Sequence, residues 1–486
     1  MIPAPDVATQ AADIQAIVGT GFAKLRKAHY VLMQVVDPVA ARAWIARTVD
    51  SGLVKSVADI GSLPGDGRPH SITRAMMLAI SHAGLEALGL TEHPAHPFPT
   101  AFKSGMASPL RAQLLGEGNH DKWTWGDVPL SAGGGVHVLA AHFSDELDAP
   151  VGELLPDAIA PGFRVLHTIS SCPSYIDDEK ATEPFGFRDG IANPVIAGLR
   201  KSASDDADRA KAGALFDDRV VAPGEILLGH VNEYGERSNC PDLDGTQPRD
   251  ASGFRFGQNG SYLAVRQIYQ HVAQFRKFEA DHPPAPESDS DAPTAAEKLI
   301  GRKKSGESLV AHPAEPPEID AFRYRVNDLS GFQCPRGAHV RRANPRDTLG
   351  VDVESGVRSS KLHRLLRRGR VFAAQHKSCI GGTCAQAIHT DTCGKGLFFI
   401  ALNADLDRQF EFVQRRWIGN PNFGDLSGED DPILGCSPAR SPTRAFSVPG
   451  LPCGQRELDI EHFTEVHGGG YFFLPGLAAL RRIGSL

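Results

Sequence analysis

The order of apolar runs predicts an α+β protein built from two similar halves. Three observations carry this. A chain of 486 residues is too long for one ordinary core, so two domains are expected. The first half reads strand, helix, strand and then further strands, which is a ferredoxin-like order. The second half restarts with a strand and a helix in the same order. Apolar residues make up 41% and charged residues 22%, as in a soluble globular protein. A net charge of −7 argues against nucleic acid or an anionic membrane as a main partner.

Residues 1–24 are weakly patterned and read as an arm. Tyr30 to Val36 is a β-rich run, and Pro38 opens a helix through Thr48 with Ala41, Trp44 and Ile45 at helical spacing. Met76 to Ile80 is the next apolar run, followed by His82 to Leu90. Phe102 to Gly118 reads as a helix and its exit. Gly135 to Ala141 and Phe163 to Ile169 are two more strands. The charged stretch from Lys201 to Arg219 then connects the halves, giving domains at 25–215 and 216–486. In the second, Pro223 to His230 reads as a strand, Asn259 to Arg266 as another and Gln267 to Phe278 as a helix. Residues 281–318 are rich in Pro, Ser, Asp and Glu and read as a surface loop, with a helical patch at Ala295 to Gly301. Gly396 to Leu402 is a buried strand, Asp405 to Trp417 a helix, and Gly468 to Gly476 the last strand before a basic terminal helix.

The stretch with the most chemistry is Cys334-Pro335-Arg336-Gly337-Ala338-His339-Val340-Arg341-Arg342-Ala343-Asn344-Pro345-Arg346. Pro335 and Gly337 open a short helix and Pro345 closes it, which puts His339 mid-helix among arginines. One imidazole is a poor zinc site, since zinc takes several His, Cys or carboxylate ligands. It suits an iron porphyrin better, with arginines to meet the two propionates. The same residues also fit a capped helix with a solvated basic face. Upstream stands Phe185-Gly186-Phe187-Arg188-Asp189-Gly190-Ile191-Ala192-Asn193-Pro194. Taken alone, its Asp-Gly pair reads as a turn.

Together these segments resemble the dye-decolorizing peroxidases. The proximal pattern of that family is Cys-Pro, two residues, Ala-His-(Ile/Val)-Arg and Asn-Pro-Arg, and its distal motif is Gly-x-x-Asp-Gly. His82 to Leu90, Asn232 to Gly235, Gln409 to Gln414 and Asp431 to Gly435 are similar to further family segments. The resemblance runs from about Tyr30 to the carboxyl terminus. It implies two ferredoxin-like domains in a dimeric α+β barrel-like, chlorite dismutase-like arrangement, with heme b in the second.

The resemblance also implies roles. His339 is the axial ligand and sole metal ligand, and its other nitrogen should donate to a carboxylate or carbonyl. Asp431 is the candidate partner, with Asp430 and Glu429 beside it. Asp189 is the distal acid and base, and Gly186 and Gly190 let the backbone approach a flat macrocycle. An ordinary aspartate ionises in the acid range, so turnover should fall from about pH 4 towards neutrality. Arg367 is the distal cation, 28 residues after His339. Val371-Phe372 and Arg370 depart from the family pattern here, which leaves Arg368 open as the alternative. Leu397 and Phe399 alternate on their strand and should roof a narrow distal pocket. Arg342 and Arg346 are the propionate candidates, with a solvated face as their other reading. Trp417 and Tyr471 are candidates for an aromatic near the surface that receives electrons, though core packing is the plainer reading of each. Pro184 stands where relatives often carry histidine and should loosen the distal loop.

These expectations amount to a peroxidase that takes hydrogen peroxide and oxidises bulky aromatic or dye-like donors. The alternative is a heme-handling, deferrochelatase-like protein. A third class is an interaction scaffold, including capsule cargo docked through the basic tail Arg481 to Leu486. A homo-oligomer is left open. Met1 to Asp6 has neither a basic nor an apolar signal region, and no run is long enough to span a membrane. Eight scattered cysteines, three of them at Cys379, Cys384 and Cys393 without Cys-x-x-Cys spacing, fit a reducing cytoplasm.

Overall fold

The computed structural model describes residues 7–60, 72–117, 120, 122–126, 135–145, 161–172, 182–199, 218–243, 255–284, 292–310, 320, 322–373, 394–435, 441–450 and 454–486. The cysteines at 379, 384 and 393 and most of the charged stretch from Lys201 lie outside these residues.

Among the described residues the strands are β1 Lys27–Val35, β2 Arg74–Ile80, β3 Val138–Ser144, β4 Phe163–Ser170, β5 Val195–Ile196, β6 Val220–Val221, β7 Ser261–Gln270, β8 Leu366–Arg367, β9 Arg370–Ala373, β10 Lys395–Asn403, β11 Arg444–Gly450, β12 Gly454–Ile460 and β13 Thr464–Leu474. Nine of them form one sheet in the order β4-β1-β3-β2-β13-β7-β10-β8, with β9 also on β10. Its two parts repeat one pattern. In β4-β1-β3-β2 the fourth strand flanks the first, then come the third and the second. In β13-β7-β10 with β8 and β9, the last strand again flanks the first, then the third and the second. Each is the ferredoxin-like order, and β2 joins β13.

The far edges meet as well. Ser171 bridges Phe372, and the Cys172 amide donates to the Val371 carbonyl at 2.9 Å. The sheet therefore closes on itself. One apolar cluster takes residues from all nine strands, among them Tyr30, Met77, Phe143, Ile169, Val265, Leu366, Phe372, Ile400 and Phe472. Strand side chains alternate, so a single cluster fed by every strand is the interior of a barrel. Val7, Ile14 and Ile17 from the expected arm belong to that cluster. On the outer face Val31 and Met33 pack with Trp44 of the helix Pro38–Asp50 and Leu480 of the helix Leu477–Ser485. Asp37 caps the first of these helices through the Val39 and Ala40 amides, with Pro38 at its first position.

Several boundaries differ from the reading of the sequence. Pro223 to Glu225 is a single 3-10 turn, not a strand, because its carbonyls and amides are used locally. Strand β7 continues to Gln270, and the helix after it is Val272–Asp281. Phe102 to Gly118 holds two short helices, Thr100–Ser104 and Pro109–Leu114, since Gly105 takes a φ of +75° and Pro109 restarts the chain. Asp407 to Ile418 is wound with i→i+5 bonds, such as Glu411 to Leu406 at 2.9 Å and Gly419 to Gln414 at 2.8 Å.

Candidate active site

A cavity of about 220 Å³ and an adjoining lobe of about 150 Å³ lie against the outer face of β7 and β10. The two share His339, Val340, Ala192, Ile268, Arg367, Phe399 and Leu434 as walls. Leu397 and Phe399 line the space, and their strand neighbours Phe398 and Ile400 point into the barrel. Across the ladder, Ile268 pairs with Leu397 and Arg266 with Phe399, which completes the wall.

His339 is the first residue of the helix His339–Ala343, not a mid-helix residue. Ala338 is extended, with a φ of −57° and ψ of 137°, after a turn closed by its amide on Pro335, so the helix can start only one residue later. Asn344 ends it before Pro345, as the proline demands. A Cβ at Gly337 would overlap Glu429 Oε1, so any larger residue there must displace the carboxylate that accepts from the Ser447 amide. His339 Nδ1 stands 3.0 Å from Asp431 Oδ2 and 3.1 Å from Oδ1. Asp431 is fully buried, and its Oδ1 also accepts from the Ile433 and Leu434 amides at 2.9 and 2.7 Å. Burial opposes its ionisation, but His339, Arg342 and the Leu434 amide together hold its carboxyl below the ordinary range. Glu429, the neighbouring alternative, turns to the Ser447 amide instead. With Nδ1 committed, Nε2 is the nitrogen left for the cavity.

Asp189 and Arg367 also line the cavity, and Arg367 Nη1 donates to Asp189 Oδ1 at 3.3 Å. Asn193 ties the two together: its Oδ1 accepts from the Arg367 amide at 2.9 Å and its Nδ2 donates to the Gly190 carbonyl at 3.3 Å. Arg368 points away, donating to the Ile17 and Val18 carbonyls. Between the two arginines, only Arg367 reaches the cavity. Gly186 and Gly190 have φ of +97° and +79°, so both serve the turn. Gly190 is at the cavity wall and Gly186 is not. Pro184 does not leave this loop loose. It is buried in a turn closed by the Glu183 amide on Phe187 at 2.9 Å and the Gly186 amide on Glu183 at 2.8 Å.

Two expectations fail on burial. Arg342 is 0% exposed and donates to the carbonyls of Gly337, Trp417, Asn420 and Glu429. Arg346 is paired with Asp218 and Asp320 and lies over Phe322. Neither lines the cavity, so they brace the segment around His339 rather than meet propionates. Arg302, Arg364 and Arg266 line it instead, and the sequence alone did not mark them because each sits in a different element. Trp417 and Tyr471 are 4% and 3% exposed, so neither is a surface aromatic; Tyr471 donates to Glu411 at 2.8 Å inside the core.

The donor set fits an iron porphyrin. A single imidazole backed by a carboxylate faces a cavity with apolar walls and several arginines. A bare metal fits poorly, because no group of three or more His, Cys, Asp or Glu side chains that could hold one occurs among the described residues. No helix among them is long and apolar enough to cross a membrane.

No protein-family model matches the chain. Among curated proteins it is 28% identical to a dye-decolorizing peroxidase of Auricularia auricula-judae, over 98% of this chain and 89% of that protein. It is 27% identical to a dye-decolorizing peroxidase of Mycetinis scorodonius, over 85% and 77%. The crystal structure of a fungal DyP-type peroxidase from Auricularia auricula-judae superposes with a TM-score of 0.73 at 26% identity, covering 98% of this chain and 99% of that one. With its barrel of two ferredoxin-like halves and these relatives along nearly its whole length, the chain is similar to the dye-decolorizing peroxidases in both sequence and fold.

Proposed function

We propose that the chain is a heme b peroxidase that reduces hydrogen peroxide and oxidises bulky aromatic or dye-like donors. The observation that carries this is the cavity itself, which has a carboxylate-backed imidazole in its wall together with the contacting pair Asp189 and Arg367.

His339 would hold the iron through Nε2, and Arg302, already paired with Asp320, and Arg364, already on the Asp218 and Ala192 carbonyls, are the guanidinium groups of the cavity wall that would face the propionates. When bound, heme supplies the redox centre that passes two oxidising equivalents from peroxide to the donors. Asp431 keeps the proton on Nδ1 and makes the imidazole a stronger donor. Asp189 takes a proton from one peroxide oxygen and returns it to the other, the leaving one. Arg367 steadies the negative charge that develops as that oxygen departs. Leu397 and Phe399 keep the space narrow and dry. Over the full cycle, peroxide takes two electrons from donors and two protons to give two waters.

Hemin titration of the wild-type chain and of His339→Ala tests the ligand, and the rate of the peroxide reaction in Asp189→Asn and Arg367→Ala tests the other face. The expected results are loss of the wild-type Soret band in the first variant and slow peroxide reaction with normal heme content in the others. A chain that releases iron from heme faster than it consumes peroxide would overturn the reading.

A further inference from the structure

We propose that Glu183 is the residue that positions Asp189, by gathering two backbone amides of the loop that carries it. Three donors converge on its carboxyl group. The Phe185 amide donates to Oε2 at 2.9 Å and the Phe187 amide to Oε1 at 2.8 Å. Gln270, at the end of β7, donates from Nε2 to Oε2 at 2.6 Å. One side chain thus binds both amides around Gly186 and anchors them to the sheet. The bridge between Thr182 and Arg188 closes the same loop, and Asp189 follows at once.

Nothing else polar among the described residues is shown bonding the Phe185 and Phe187 amides. Their rings are buried and pack on Phe275, with Phe185 stacked at 4.2 Å and Phe187 edge-on at 6.2 Å. A carboxyl group set in the wall of a mostly apolar cavity is costly unless its oxygens are used, and here both are. Burial pushes this carboxyl up to about 7 despite the three donors, with the charge of Asp189 acting in the same direction. Glu183 also lines the cavity, so its contacts and the placement of Asp189 are parts of one wall. Gly186, at a φ of +97°, has no side chain to pack, so outside its backbone turn the segment is held by what its neighbours' amides meet. The clamp supplies that hold.

This inference rests on the role proposed for Asp189, and its test separates the two. Glu183→Ala and Glu183→Gln are made in the wild-type chain and in Asp189→Asn. Amide hydrogen exchange, read without any turnover, should speed up at Phe185 and Phe187 by about tenfold or more in Glu183→Ala, and less in Glu183→Gln, which keeps one acceptor. Hemin affinity should stay within about twofold in both variants, and the peroxide rate constant should fall by about 10- to 100-fold in Glu183→Ala, the loss expected of a misplaced catalytic group. In the Asp189→Asn background the same substitution should cost nothing further, since a residue acting through Asp189 has no effect once that carboxylate is gone. Unchanged exchange at both amides would overturn the clamp whatever Asp189 does. A full, additive loss in the double variant would overturn the positioning role. Full peroxide rate in Asp189→Asn alone would instead sink the function assigned to Asp189 and leave the exchange result standing.

Discussion

Replacing Asp431 by Asn changes one atom of the site and tests the His339 side of it. Asp431 Oδ1 accepts from two amides, those of Ile433 and Leu434, so in the variant the oxygen must stay there. The new amide nitrogen then takes the place of Oδ2, 3.0 Å from His339 Nδ1. That nitrogen can only donate. His339 Nδ1 keeps Oδ1 at 3.1 Å as an acceptor, but that oxygen already serves two amides and carries no charge in the variant, while the new NH2 stands against the Nδ1 proton. The pairing that leaves Nε2 free for iron is thereby weakened. The lost interaction is a hydrogen bond to a charged, fully buried group, which is worth about 1.5–3 kcal/mol. Converted to affinity, hemin should bind about 10- to 150-fold more weakly, in the range seen when a partner behind a metal-bound histidine is removed. The assay is a Soret titration of apoprotein with hemin, with far-UV circular dichroism showing that the fold is kept. The reduction potential of the loaded variant should also rise, because the imidazole donates less. Binding within threefold of wild type would refute the argument.

Other outcomes follow from single contacts. Arg367→Ala should lower the peroxide rate constant by about 100- to 1000-fold with hemin affinity kept, whereas Arg368→Ala should leave that rate within twofold and cost about 1–3 kcal/mol in denaturant unfolding, since it strips donors from the Ile17 and Val18 carbonyls. Glu183 is raised from 4.5 to about 7 on folding, so the native state holds its proton more tightly. Its contribution therefore favours the fold below about pH 4.5 and is lost as pH rises to about 7, by at most about 3 kcal/mol; the wild-type minus Glu183→Gln difference in thermal midpoint, scanned over that window, should show it. Gly396→Ala should cost about 3 kcal/mol or more in chemical denaturation, because its Cβ would lie 1.8 Å from the Ile268 carbonyl oxygen and neither strand can give way.

The parts of the fold legible in the sequence were those with a sustained pattern. The nearly continuous apolar runs at Tyr30 to Val36 and at Gly396 to Leu402 mark buried strands because both faces are apolar for different reasons, one inside the barrel and one under helices or the cavity wall. Strand β8 has two residues and no period to read, yet it carries Arg367. His339 was legible through the resemblance of its segment to the proximal pattern; a lone imidazole in a proline-bounded helix by itself also fits a capped helix with a basic face. The arginines around it were not. Whether a guanidinium faces a cavity or four carbonyls depends on chain that returns from far away: Arg342 meets Glu429, 87 positions on, and Arg346 meets Asp218, 128 positions back. Trp417 and Tyr471 stood between surface and core for the same reason, since aromatic character in the sequence does not by itself tell one from the other, and the structure buries both.

Repetition of the strand order in the two halves also accounts for where the site lies. In the first half, the connection from β1 to β2 runs from Val36 to Thr73, about the length a helix and its loops need. In the second, the matching connection from β7 to β8 runs from His271 to Leu365 and contains the helices Val272–Asp281, Ala295–Ile300 and His339–Ala343. This longer crossover brings His339 over the outer face of β7 and β10, the face that Leu397 and Phe399 present. The loop with Asp189 lies between the halves, after β4 and before β7, and reaches the same face from the other direction. Neither half alone contains both His339 and Asp189. A second half produced by itself should therefore still bind hemin through His339 if it folds, but react with peroxide as slowly as Asp189→Asn; peroxide reactivity equal to that of the whole chain would show that the distal group comes from the second half.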